Sequence, residues 1–266
     1  MRLYEIRRGQ VTDVELARPR LLRLSVAAPA AGARASLSDL RTFVVGDLIR
    51  RNAERRKLVI QAGQDAGGAA DGAALGLRPA EEARLDGLID VQVSGPDPGD
   101  QARHWTAPGP VRFSADTGRN GRPDRAGRHD SDNSDSDNRS DDSGLVHLDD
   151  LTGRGLDPLA LRLAFLEQPY RDELTLTWPA LADADQALRD LRAQVADWAT
   201  HPSRPLSAPH AAEVTAAFDD DLFTPGALVT LRALAASPQV PPGAKFETFA
   251  HLDQLLGLDL ASQVGR

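Results

Sequence analysis

The sequence predicts an α/β region followed by an all-helical one. Three observations carry that expectation. Residues 21–60 read as strand, helix, strand. A polar tract with almost no aliphatic side chain interrupts the chain at 117–144. Beyond it, apolar residues recur at helical spacing, with prolines between the periodic stretches. A strand–helix–strand unit with short connections starts a parallel sheet. The expected architecture is therefore a reduced Rossmann-like domain over residues 1–116, a disordered linker rich in Asp, Ser and Asn over 117–144, and a helical bundle over 145–266.

Each element has its own signal. In residues 21–27, Leu22, Leu24 and Val26 alternate with polar or smaller neighbours, a period-two strand pattern. Ser38 is the expected N-cap of the next helix, with Asp39 favourable in its first turn. Leu40, Phe43, Val44, Leu48 and Ile49 form its apolar stripe, and Arg41, Asp47, Arg50 and Arg51 its polar face. Leu58–Ile60 reads as a second strand. Residues 61–80, full of Ala and Gly, read as flexible or weakly helical. Residues 81–89 fit a short helix and 88–93 fit a strand, and the pattern leaves both open. Pro and Gly density makes 94–110 a loop, and 111–113 reads as a short strand.

In the second half, Asp157-Pro158 occupies cap and first-turn positions. Trp178-Pro179 opens a long helix through Leu181, Leu188, Leu191, Val195 and Trp198. Further helices are expected at 208–219, 225–236 and 245–256, the last closed by Gly257.

Composition sets limits on function. The 266 residues include 31 basic and 39 acidic side chains, a net charge of −8. That balance does not mark a general nucleic-acid binder, although a local basic patch is compatible with it. The chain has no cysteine, so it has no disulfide, thiolate ligand or thiol nucleophile. No apolar run approaches the roughly 20 residues that span a bilayer. Arg23 and Arg34 interrupt the one stretch that resembles a signal peptide. A cytoplasmic protein without a membrane partner is expected. Asp130, Asp132 and Asp135 lack the calcium-loop pattern, with its central Gly and terminal Glu. The six histidines are dispersed without ligand spacing.

Several motifs occur in the order found in one family. Gly155-Leu-Asp-Pro-Leu-Ala-Leu-Arg162, Tyr170-Arg171, Leu174-Thr-Leu-Thr-Trp178 and Asp220-Asp-Leu-Phe-Thr-Pro-Gly-Ala-Leu228 resemble segments of cysteinyl-tRNA synthetases. Tyr4 and its neighbours are similar to the family's opening segment, and Arg41–Arg51 to the helix after its first signature. The resemblance implies a class I synthetase fold, zinc and ATP as cofactors, and tRNA as a partner. A related ligase joins cysteine to a glucosaminyl-inositol, and the resemblance extends to it.

The implied chemistry lacks its residues. The zinc-binding Cys of the family falls on Ala27. Its HIGH signature falls on Ser36, Leu37, Ser38 and Asp39. Its KMSKS loop falls on 137–141, with Asp137 and Ser140 in place of the lysines. Class I activation relies on cationic groups that stabilise charge on transferring phosphates, and Asp137 would oppose it. The expectation is a degenerate pseudoenzyme with no catalytic residue, no metal site and no predicted cofactor, acting on a protein or tRNA-like RNA partner. A residual ATP-dependent amino-acid or cysteine ligase is the alternative, with a pocket near 27–38 and Arg112. A decayed product without activity is a third reading. Arg50, Arg51, Arg55, Arg56 and Lys57 form the densest basic cluster and are the candidate RNA contacts. The solvated face of a surface helix is the commoner use of such a run.

Overall fold

A computed structural model describes residues 1–27, 35–64, 69–80, 85–95, 97–114 and 146–266. The linker expected at 117–144 lies outside the described residues.

Strands β1 (Arg2–Glu5) and β2 (Gln10–Asp13) form an antiparallel hairpin. Strand β3 (Leu21–Val26) then pairs in parallel with both β4 (Val59–Gln64) and β5 (Ile89–Val93), and β6 (Ala102–Thr106) adds in parallel to β5. The sheet order is β4-β3-β5-β6. The alternation in β3 does what it predicts: Leu22, Leu24 and Val26 are buried in the main core, together with Val91 and Val93 of β5.

Helix α1 (Leu37–Arg55) connects β3 to β4 and packs on this sheet. A Cβ on Gly46 would lie 2.5 Å from a Val26 methyl, so glycine permits the close approach of helix and strand. The outer side of α1 is largely covered, with partial exposure at Glu54 and Arg55 in its last turn. It meets α4 (Pro158–Leu166) and α8 (Pro242–Leu256), and Arg41 and Asp47 are buried. The expected polar face of a surface helix is therefore an internal seam, because the second half of the chain packs onto it.

Other expectations need correction. The N-cap of α1 is Ser36, not Ser38. The 94–110 region holds β6 as well as loop: its Pro and Gly residues flank 102–106, and Ala102, His104 and Thr106 are buried on alternate positions. Strand β4 runs four residues beyond Ile60, and the segment after it contains a six-residue helix, α2 (Ala69–Ala74). The open choice at 88–93 resolves as strand; residues 81–84 lie outside the described residues.

The C-terminal half contains α3 (Leu148–Gly153), α4, α5 (Trp178–Trp198), α6 (Ala208–Asp219), α7 (Thr224–Ala236) and α8. Asp157 caps α4 by accepting from Leu159 N, and Pro158 follows in the first turn. Gly257 ends α8 in the left-handed conformation, at φ +66°. Strand β8 (Leu174–Thr177) pairs in parallel with β7 (Val111–Ser114), so the two halves share a sheet. Among the described residues no helix is long and apolar enough to cross a membrane.

Candidate functional site

Of the positions that the resemblance matches to synthetase signatures, Ala27 and Ser36–Asp39 lie at the C-terminal edge of the parallel sheet. Ala27 follows β3 directly, and its N–H donates to the Val93 carbonyl at 3.0 Å. Its methyl side chain has no atom that can hold a metal. Among the described residues, no group of three or more His, Cys, Asp or Glu is arranged for one. The described residues at this edge therefore do not supply a donor set that fits zinc.

Ser36–Asp39 form the start of α1. Ser36 Oγ accepts from Asp39 N at 3.2 Å, while Asp39 Oδ2 accepts from Ser36 N at 2.8 Å and from Ser36 Oγ at 2.7 Å. This reciprocal capping box satisfies two backbone donors and puts a carboxylate on the positive end of the helix. Leu37 is buried in the core. Ser38 Oγ accepts from Val111 N at 2.9 Å, tying α1 to β7. One turn on, Arg41 donates to the carbonyls of Gly109, Pro169 and Asp172. Burial pulls its guanidinium down to about 10, against a small opposing effect of Asp172. Asp137 and Ser140 lie outside the described residues.

A hollow of about 890 Å³ opens beside this edge, lined by Ser25, Ala27, Gly63 and Gln92 among others. Among the described residues its ionisable lining is Asp86, Asp97 and Asp100. An acid-lined hollow is unsuited to a polyphosphate, which needs cations or helix N-termini turned toward it. Arg112 is not part of it and pairs instead with Glu173.

The retained motifs have a different role. Asp221 accepts from Tyr4 N and from Tyr170 Oη, each at 2.8 Å, and pairs with Arg171 at 2.8 Å. Tyr170 Oη also meets Thr106 Oγ1 at 3.0 Å. Burial and the Asp221 charge both raise the Tyr170 phenol, so it stays protonated and can donate. This carboxylate joins β1 to the segment after α4, and Tyr170 carries the link on to Thr106 of β6. Arg162, fully buried, donates to Asp47 at 2.6 Å, to Leu256 O at 2.7 Å and to Leu75 O at 3.2 Å. Arg51 reaches the same Asp47 oxygen at 2.6 Å. Burial pushes the Asp47 carboxyl up, but Arg162 and Arg51 outweigh it and hold it below the ordinary value. The motifs Leu-Asp-Pro…Arg, Tyr-Arg and Asp-Asp-Leu thus staple the two halves together.

Sequence reasoning missed the Asp47–Arg162 and Asp221 centres. The available signal was Arg162 itself, a charged residue inside the apolar run Leu159–Phe165. A charge there needs a buried partner.

The five candidate RNA contacts are close in sequence but engaged in several directions. Arg50 pairs with Glu54 at 3.0 Å. Arg51 is held by Asp47 and donates to Gly76 O and Gln254 O. Arg55 and Arg56 share Asp219, at 2.7 and 3.1 Å. Lys57 follows in a left-handed turn, at φ +60°.

No family model matches the chain. It is 38% identical over 116 residues to a Cysteine--tRNA ligase 1 of Burkholderia lata, covering 44% of this chain and 24% of that protein. It is 37% identical over 121 residues to an L-cysteine:1D-myo-inositol 2-amino-2-deoxy-alpha-D-glucopyranoside ligase of Thermomonospora curvata, covering 44% and 28%. A Cysteine--tRNA ligase of Novosphingobium aromaticivorans is 32% identical over 123 residues, covering 44% and 25%. The matched stretch spans about a quarter of the length of these curated relatives. With a parallel sheet joined to a helical region, and these relatives, the chain is cysteinyl-tRNA synthetase-like over that 44% of its length.

Proposed function

We propose that this chain is a synthetase-like protein that does not activate an amino acid and acts by binding a protein or RNA partner. The observation that carries the reading is the capping box at the start of α1. Where the resemblance puts the signature's phosphate-handling His the chain has Ser36, and Asp39, at the signature's fourth position, brings a carboxylate to the N-terminus of the helix. A helix N-terminus attracts phosphate through free N–H groups and its positive dipole end. Here the side chains of Ser36 and Asp39 take part of that capacity, and the Asp39 charge opposes an anion. Ala27 supports the same reading, because a thiolate-selective zinc site needs ligands that a methyl group does not supply. Neither zinc nor ATP has a part in the proposed role.

The test is ATP–pyrophosphate exchange, run with cysteine and a panel of other amino acids. Exchange is expected to stay at background with every amino acid. Exchange above background with any of them would replace this reading with the alternative of an ATP-dependent ligase with an altered site.

A further inference from the structure

We propose that the cleft between the C-terminal end of α1, residues 76–78 and α8 binds a phosphate group. The cleft has a volume of about 260 Å³ and is lined by Arg51, Glu54, Arg55, Arg78, His251, Gln254 and Leu255. It lies at the opposite end of α1 from the signature positions. The inference deepens the binding role proposed above and rests on that reading for the kind of partner that carries the phosphate.

The charge balance of the lining is the first argument. Among the described residues, three guanidinium groups and an imidazole share the cleft with a single carboxylate, Glu54. That carboxylate is divided between Arg50 and Arg78. The acids behind the lining are already engaged. Asp47 holds Arg51 and Arg162, Asp219 holds Arg55 and Arg56, and Asp253 accepts from the N–H groups of Leu258 and Leu260. Among the described residues, Arg51, Arg55, Arg56, Arg78 and Arg162 therefore face Asp47, Glu54, Asp219 and Asp253 around this seam, in a chain whose overall charge is negative. Burial, and then the positive field of Arg51, depress the Arg78 guanidinium; Asp47 opposes them and Arg50 adds to them. An anion in the cleft would relieve that crowding.

Rigidity is the second argument. Arg51 is fixed by Asp47 and two backbone carbonyls, and Arg55 by Asn52 Oδ1 and Asp219. Guanidinium groups held in place lose little entropy on binding, and their planar donors suit phosphate oxygens. The volume suits a phosphate with part of an attached sugar, and Leu255 supplies an apolar contact. The phosphate of a mononucleotide and that of an RNA strand present the same chemistry.

The experiment titrates the full chain with three probes: inorganic phosphate, AMP and unfractionated tRNA. At least one is expected to bind, with affinity falling as salt rises. Arg78→Glu should weaken that binding by about tenfold or more. Glu54→Gln removes the carboxylate that competes among the described lining residues and should tighten it by roughly threefold or more. A gain of affinity cannot come from a misfolded variant. AMP binding alone assigns the phosphate to a mononucleotide, tRNA binding alone to RNA, and phosphate binding to the bare anion; each supports the site. Binding of none of the three, or binding that neither substitution moves, overturns it. Pyrophosphate exchange on the same samples separates the two proposals. Exchange above background removes the pseudoenzyme role and leaves the site standing, whereas background exchange without binding removes only the site.

Discussion

Asp47 shows how much of this molecule depends on single side chains. It is the only carboxylate in contact with fully buried Arg162 among the described ion pairs, and it also holds Arg51. Asp47→Asn leaves a buried guanidinium without its counter-charge, which costs about 3–5 kcal/mol in comparable pairs. Urea denaturation should show the midpoint falling by the corresponding amount. The same pair sets a pH dependence. The folded-state value of Asp47 lies below its ordinary 3.8, so its stabilising contribution is complete above that value and is lost as pH falls through the lower folded value. Glu5 and Asp219 are shifted in the same direction and add to the acid sensitivity. In an acid titration of the folded signal, Asp47→Asn should lose part of this dependence below pH 3.8. The pair was hard to read from sequence because its partners lie 115 residues apart, although each belongs to a recognisable helical pattern.

At the scale of elements, α1 carries both the capping box at Ser36–Asp39 and the central packing. Ser36→Ala removes the side-chain half of its capping box, and a loss of about 1 kcal/mol is expected from thermal or chemical unfolding. No change would mean that the tertiary contacts of α1 alone set its start. The apolar stripe of α1 and the alternation in β3 were legible because each is a local, periodic pattern. The exact cap was less so: Ser36 and Ser38 both precede an apolar run, and the choice falls to Ser36 because Asp39 sits three residues after it. Strands β6 and β8 were not legible. Each is short, 5 and 4 residues, and its place depends on a partner elsewhere in the chain. The resemblance and its motif order are what put the signature positions on Ser36–Asp39. That Ser38 would serve β7, and Ser36 and Asp39 each other, required the tertiary structure.

For the whole molecule, the parallel pairing of β7 with β8 has a consequence for the order of folding. Val111 pairs with Leu174, and Arg51 donates to the carbonyl of Gln254, 203 residues away. Contacts of such sequence separation form late, after the entropy of a long loop has been lost. During synthesis the sheet of the first half would wait, with α1 uncovered on one side, until α4 and α8 have emerged. Two fragments cut between residues 115 and 145 should each lack a cooperative unfolding transition and regain one when mixed. Cooperative unfolding of the first fragment alone would show that its half does not need the second. The seam that holds the folded halves together is thus also the point at which a nascent chain is most exposed to aggregation and to proteases, and where a chaperone would have most to protect.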